Sequence, residues 1–316
     1  MSDQKRFVFV VNPRSAAGST LRRFEQVRQR ILARLAQQGA TIDVKLTERP
    51  RHATELTRQA VKEGADVVVA VGGDGTNNEV VNGFFDEEGA RIESKTAFSV
   101  ITSGTGGDFR RTFGWSTEPM DDLERLARMT RRRIDLGRLR CVDDKGAPVL
   151  RYFVNISGCG VSGLVVDVVN KGSKQLGAKL SFMLGSAKTM ATYKPQHVQI
   201  SIDDGPPAPE EMSLVALCNG QYFGGGMWVA PDALPDDGLF DCIVIRGGGL
   251  GFWLKHALKV YTGRHKHLPE VSIVRCQKLH VAPGSGEKVF IDLDGEQPGL
   301  LPATWEIVPA ALDLLV

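Results

Sequence analysis

Hydrophobic positions in the first 137 residues recur with two periods, one of strands and one of helices. Phe7 to Val11 (FVFVV) is β-branched and aromatic and stops at the turn pair Asn12-Pro13, so a strand is predicted there. From Ser19 to Gln38 the apolar residues Leu21, Phe24, Val27, Ile31, Leu32 and Leu35 fall at helical spacing, and Gly39 marks the stop. Ile42 to Leu46 reads as a second strand and Pro50 to Glu63 as a second helix. Asp66 to Val71 (DVVVAV) is apolar after its first residue, as a strand covered on both faces must be. A helix over Thr76 to Phe85 and a strand over Phe98 to Thr102 follow. Strands alternating with helices predict a parallel, doubly wound α/β sheet.

From about Arg138 the pattern changes. Strand-like runs at Tyr152–Ile156, Val198–Ile202, Leu214–Leu217, Asp241–Ile245 and Val289–Leu293 are separated by Gly, Pro and Asp clusters. Helical patterns interrupt them at Ser162 to Thr192, broken by glycines, and at Leu250 to Thr262. A second domain, mostly antiparallel β, is expected over residues 138–300 after an α/β domain over 1–137.

The chain has 316 residues, with Lys plus Arg at 39 and Asp plus Glu at 37. Up to residue 137 there are 22 basic and 19 acidic residues, so neither half carries the basic excess of a nucleic-acid protein. No run approaches the roughly 18 apolar residues of a membrane span, and the N-terminus lacks a signal-peptide pattern. Five scattered cysteines without a CxxC pair predict reduced, buried thiols. An intracellular, soluble chain is expected.

Candidate chemistry concentrates after the third strand. Gly72-Gly73-Asp74-Gly75-Thr76-Asn77-Asn78 follows a buried strand and opens a helix. In an open α/β sheet, ligands bind at the C-terminal strand ends. The glycines let backbone N–H groups approach an anion, and the helix N-terminus favours phosphate. Asp74 suits a Mg²⁺ ion or an attacking hydroxyl beside that phosphate; as a plain turn, it would only cap the helix. Two further loops belong on the same rim, Asn12 to Gly18 and Ser103 to Phe109, with Arg14, Arg110 and Arg111 available to phosphate charge. GxxxxGK[ST], HExxH and G-x-S-x-G are absent. Gly158 to Gly163 fits G-x-G-x-x-G, but no acid follows at the ribose position, so it reads as a tight strand-to-helix turn. Leu234 to Leu239 reads as a hairpin turn or a small oxygen-ligand metal site. Strand alternation puts Asp292 and Asp294 on one face, opposite Ile291 and Leu293, before an Asp-Gly-Glu turn.

The ordered set of these motifs resembles the diacylglycerol kinase catalytic-domain family, which includes bacterial soluble lipid kinases, sphingosine kinases and ceramide kinases. The resemblance rests on Asn12-Pro13 with Ser15, Gly72 to Thr76 running into Glu79 to Gly83, and Gly104-Thr105 with Asp108-Phe109. It continues through Arg133 to Gly137, Pro231 to Leu239, and Asp294-Gly295-Glu296. It implies a phosphofructokinase-like doubly wound N-terminal domain, then a mostly antiparallel β-sandwich, with residues 301–316 returning to the first domain. It also implies ATP with Mg²⁺ as cofactors, held by Asn12, Pro13, Arg14, Ser15, Ala16, Thr47, Gly72, Gly73, Asp74, Gly75, Thr76, Asn77, Asn78 and Thr105. By the same resemblance Glu296 is the proton acceptor and Asp74 a catalytic acid, while Leu234, Asp237 and Leu239 form a structural metal site. Many members have Gly at the position of Ala16 and Asn at that of Gly107.

The expected reaction is transfer of the ATP γ-phosphoryl to a lipid hydroxyl, such as that of diacylglycerol or a sphingoid base. Such a protein would be cytoplasmic and touch the membrane transiently, with a homodimer compatible and no nucleic-acid partner. Leu250 to Leu268 fits either an interfacial amphipathic segment or a helix covering the sheet. Two readings compete: a soluble-metabolite kinase of the NAD kinase or phosphofructokinase type, and a silent nucleotide- or lipid-binding regulator. The assignment of the base among Asp74, Asp294 and Glu296 stays open at this level.

Overall fold

A computed structural model of the protein describes residues 4–15, 18–102, 107–171, 189 and 192–316. The chain divides into two compact units, one running to Ile134 and completed by Ala310–Val316, the other Asp135–Pro309.

Unit 1 is built from β1 (Arg6–Val11), α1 (Ser19–Ala36), β2 (Thr41–Leu46), α2 (His52–Lys62), β3 (Val67–Gly72), α3 (Asp74–Asn82), β4 (Ala97–Thr102), α4 (Asp108–Thr112) and α5 (Pro119–Arg128). The strands pair in parallel in the order β2-β1-β3-β4. Odd-numbered residues Phe7, Phe9, Val67, Val69 and Val71 pack with Phe24, Ile31 and Leu35 of α1 and Leu123 and Leu126 of α5. The intervening Val8, Val10, Val68 and Ala70 are equally buried, and α2 packs beside α3. Burial on both faces accounts for the continuous apolar runs and makes this the doubly wound sheet that the pattern predicts. Gly83, just past α3, is the point of closest approach: a Cβ there would overlap Thr57 Cβ and the Thr54 carbonyl oxygen of α2.

β5 (Arg131–Val142) carries the chain into unit 2. There follow β6 (Pro148–Phe153), β7 (Ile156–Gly160), α6 (Val161–Lys171), β8 (Gln196–Ile202), β9 (Ala208–Met212), β10 (Leu214–Cys218), β11 (Tyr222–Phe223) and β12 (Met227–Trp228). The unit continues with β13 (Phe240–Ile245), α7 (Gly249–Tyr261), β14 (Val271–Cys276), β15 (Lys278–Pro283), β16 (Ile291–Leu293) and β17 (Leu300–Leu315). One antiparallel sheet runs β14-β13-β10-β7-β16; the facing strands run β17-β15-β8-β9, also antiparallel. Phe153, Phe240, Leu279, Ile291 and Trp305 lie among the residues that fill the core of this sandwich. A second core, with Ile156, Leu214 and Ile243, lies under Val161 and Val165 of α6 and Phe252 and Trp253 of α7.

Two sequence expectations change here, at Asp237-Gly238 and at Asp292 with Asp294, and two others are met as far as the described residues reach. Over the described part of Ser162 to Thr192 the expected helix is present as Val161–Lys171; residues 172–188 and 190–191 lie outside the described residues. The G-x-G-x-x-G run is the tight strand-to-helix turn expected, with β7 ending at Gly160 and α6 starting at Val161. It is also closely packed, because a Cβ on Gly158 or Gly163 would overlap the carbonyl oxygens of Val215 and Phe290. Asp237-Gly238 is no hairpin: it lies in the loop from β12 into β13, which pair with different partners. The alternation that puts Asp292 and Asp294 on one face does not reach Asp294, which lies past the end of β16 with φ 48°; both residues are buried. Five free cysteines are buried, as expected.

Candidate active site

In unit 1 the strand ends are laced into one rim. The Asn12 N–H donates to the Val71 carbonyl (3.0 Å) and the Thr47 N–H to that of Val11 (2.9 Å). Asn12 then uses both ends of its amide, donating from Nδ2 to Thr76 Oγ1 (3.2 Å) and accepting the Arg14 N–H at Oδ1 (3.0 Å). Ser15 donates its hydroxyl to the Asn12 carbonyl (2.9 Å) and lies 2.6 Å from the Thr20 hydroxyl. These contacts tie Asn12 directly to Thr76 of the glycine loop and Arg14 and Ser15 to Asn12, while Thr47 is fastened to the end of β1; Ala16 and Thr105 lie outside the described residues.

The two glycines at the head of that loop have different reasons. A Cβ on Gly72 would overlap Thr76 Oγ1 and Cβ, so the strand end and the first turn of α3 close on each other. Gly73 is the N-cap of α3, and among the described residues, its chain neighbours and the helix backbone aside, nothing lies within 4 Å of where a Cβ would stand. Open space in front of a helix N-terminus is what a phosphate group requires. Asn77 and Asn78 are buried, and Asn82 Nδ2 donates to the Asn78 carbonyl (2.9 Å), which braces the helix.

Asp74 itself faces the next loop. Its Oδ2 accepts the N–H groups of Gly107 (2.9 Å) and Asp108 (3.0 Å), and Oδ1 accepts that of Phe109 (3.3 Å). The carboxylate thus caps α4. A carboxylate has about four lone-pair sites, so three amides leave it capacity for one further partner. Glu79 does comparable work, accepting the Arg51 N–H (2.9 Å) and Ala53 N–H (3.1 Å) at the start of α2. Behind β4, buried Arg125 donates to the Val100 carbonyl and to Asp122 Oδ1 (2.7 Å) and stacks 4.1 Å over Trp115. Burial pushes the Asp122 carboxyl up to about 6, against the pull of Arg125.

In unit 2 the acidic turn after β16 has three distinct environments. Asp294 accepts three consecutive amides, Val154 (3.0 Å) on Oδ2 and Asn155 (3.2 Å) and Ile156 (3.0 Å) on Oδ1. Asp292 accepts the Gly295 N–H (2.9 Å), and burial pushes its carboxyl up to about 7. Glu296 is more than a third exposed and pairs through Oε2 with Arg151 Nη2 (3.1 Å). Sequence reasoning missed Arg151, because nothing in the strand pattern of β6 marks its partner.

Around Asp237, Oδ1 accepts the Leu239 N–H (3.1 Å) and Oδ2 is paired with Arg275. Arg275 also lies 3.5 Å from Asp241, so a cation beside Asp237 would enter only in exchange for the guanidinium. With Arg275 in place the Leu234, Asp237 and Leu239 set does not fit an ion. Among the described residues no three His, Cys, Asp or Glu side chains converge as a metal site. No helix among them is long and apolar enough to cross a membrane.

Two family profiles match the chain. The diacylglycerol kinase catalytic domain matches residues 6–139, and the YegS C-terminal NAD kinase beta sandwich-like domain matches residues 155–316. A diacylglycerol kinase of Bacillus subtilis is 29% identical over 303 residues, covering 94% of this chain and 92% of the relative. A diacylglycerol kinase of Mycobacterium tuberculosis is 28% identical over 309 residues, covering 97% and 93%. The crystal structure of a diacylglycerol kinase from Bacillus anthracis superposes with a TM-score of 0.71 at 20% identity, covering 100% of this chain and 98% of that one. This protein belongs to the diacylglycerol kinase catalytic-domain family.

Proposed function

We propose that the protein is an ATP-dependent lipid kinase, moving the γ-phosphoryl group of ATP to a hydroxyl of a lipid such as diacylglycerol or a sphingoid base. The observation that carries the reading is the glycine loop at the end of β3, with open space at Gly73, in a chain matched by both domain profiles. Asn12 to Ala16, Thr47, Gly72 to Asn78 and Thr105 would hold the nucleotide. Backbone N–H groups at the start of α3 would take phosphate charge there.

Mg²⁺ commonly binds through one or two carboxylates plus substrate phosphates, and the remaining lone pair of Asp74 fits that limited role. When bound, the ion neutralises charge on the phosphoryl group in a loose, in-line transition state. Asp74 and Asp294 are each engaged by three amides, which leaves Glu296 as the base. Arg151 fixes Oε2 of Glu296, so Oε1 takes the proton of the lipid hydroxyl. ATP turnover measured with and without mixed micelles of diacylglycerol or a sphingoid base tests this reading. Turnover with neither lipid would overturn the acceptor class.

The NAD kinase likeness in the second profile favours one other reading, a soluble acceptor. Adding NAD to the same assay decides it: phosphorylation of NAD without lipid turnover would replace the lipid kinase reading.

A further inference from the structure

We propose that the outer face of α7 docks the protein on an anionic bilayer surface. The helix is held to its unit by one side, where Phe252 and Trp253 pack on the Ile156, Leu214 and Ile243 core and His256 and Val260 are buried. The other side presents Lys255, Leu258, Tyr261 and Thr262 to solvent. Leu258 is 80% exposed, the most exposed large hydrophobic side chain among the described residues, and Tyr261 is 51% exposed. Among the described residues nothing covers a leucine standing that far out.

The charge around it has one sign. From Gly249 to Pro269 the chain contains Lys255, Lys259, Arg264 and Lys266 and no acid. Asp232 pairs with Lys266 (2.7 Å), and Glu270 lies at the inner side near His256 with one carboxylate oxygen buried. Among the described residues Lys255, Lys259 and Arg264 have no ion-pair partner. Burial and the two lysines push the His256 imidazole down.

Two other cationic surfaces lack this combination. On the outer face of the sandwich Arg138 and Arg140 converge on Glu306, and Asp204 pairs with Lys278, so that shallow concavity is already neutralised. α1 carries Arg22, Arg23, Arg28, Arg30 and Arg34, but no large hydrophobic residue of it is exposed. Stable docking on a membrane takes two signals, here an inserted apolar group and attraction to anionic headgroups. α7 joins them in one place, with the most exposed leucine of the described residues and no acid from Gly249 to Pro269. Its use rests on the lipid kinase reading, so the experiment separates binding from turnover.

The full chain is sedimented with phosphatidylcholine vesicles, with and without phosphatidylglycerol, in the absence of nucleotide. Binding is expected only to the anionic vesicles. Lys255→Gln with Lys259→Gln should weaken it roughly thirtyfold, at about fivefold per charge removed. Leu258→Ser with Tyr261→Ser should weaken it further, whereas the equal charge loss Arg22→Gln with Arg23→Gln should leave it unchanged. Unbound wild type, undiminished binding of the α7 variants, or equal loss from the α1 variant would overturn the proposal. So would α7 variants that change self-association and not vesicle binding, which would assign the face to a second copy. The α7 variants should turn over a short-chain diacylglycerol in detergent micelles as the wild type does. If the vesicle pattern holds while no lipid is phosphorylated, the docking surface stands and the lipid kinase reading falls.

Discussion

Asp74 and Asp294 fasten the chain in the same way: each carboxylate accepts the N–H groups of three successive residues, 107 to 109 for one and 154 to 156 for the other. Each therefore fixes a loop far from it in sequence. The two acids that a motif search would first name as chemical groups are thus built into backbone scaffolding, and this separates them from Glu296.

The separation predicts two different failures. Asp294→Asn keeps the size of the side chain but replaces one accepting oxygen with a donor that faces an N–H. Leaving buried donors without acceptors costs about 1–3 kcal/mol. Asp294→Asn should lower the urea midpoint at unchanged m by that order, and an unchanged midpoint would show that the three amides find other partners.

Glu296→Gln should do the reverse. Half-exposed and outside the core, it should leave the urea midpoint in place while kcat on the best lipid falls about 10²–10⁴-fold, as removal of a general base does. Arg151→Gln should lower kcat through the same carboxylate. Combined with Glu296→Gln it should add little, because coupled residues are non-additive. Near-normal turnover of Glu296→Gln would return the role to Asp74.

The glycine loop offers a paired test. Gly72→Ala meets Thr76 and should reduce stability, whereas Gly73→Val, with nothing beyond its chain neighbours and its own helix backbone within 4 Å of its Cβ among the described residues, should fold normally. If the space at Gly73 belongs to a phosphate group, calorimetry should find ATP affinity abolished in Gly73→Val. Unchanged affinity in the folded variant would remove the nucleotide from this position.

Asp292 sets a pH dependence. Its folded carboxyl is pushed up to about 7 by burial, above the unfolded value of 3.8, so the native state binds the extra proton. The associated stability is present below about pH 4 and is lost as pH rises through about 7, at no more than about 1.4 kcal/mol per pH unit. Asp292→Asn mimics the protonated acid. Relative to wild type it should gain stability at pH 8 and little at pH 4, by urea unfolding; an equal effect at both would place the carboxyl in its ordinary range.

What the sequence discloses about this molecule follows the range of the interactions. Phe7 to Val11 and Asp66 to Val71 are legible as buried parallel strands because burial on two faces writes itself into consecutive residues. The Gly72 to Asn78 loop is legible because strand, glycines and helix start are contiguous. The clasp of Asp74 on Gly107 to Phe109 is not, since its partners are amides, which every residue possesses. Asp294 defeats the period-two argument through its own left-handed φ of 48°, and Arg275 at Asp237 comes from a neighbouring strand. Family resemblance supplied the interest of Glu296; its environment beside Arg151 came only from the fold.

β17 has a consequence for the order in which the molecule can be made. Its last residues belong to unit 1, where Leu314 pairs with Phe98 of β4, Arg91 donates to the Ala311 carbonyl (3.0 Å) and the Val316 N–H donates to that of Thr130 (2.9 Å). On the ribosome, residues 4–134 emerge with the apolar edge of β4 open and wait for all of Asp135–Pro309 before that edge is closed. The first unit to be synthesised is the last to be finished, so a nascent-chain holdase has a reason to attend it, and a fragment ending near Ile134 would be born with a sticky edge.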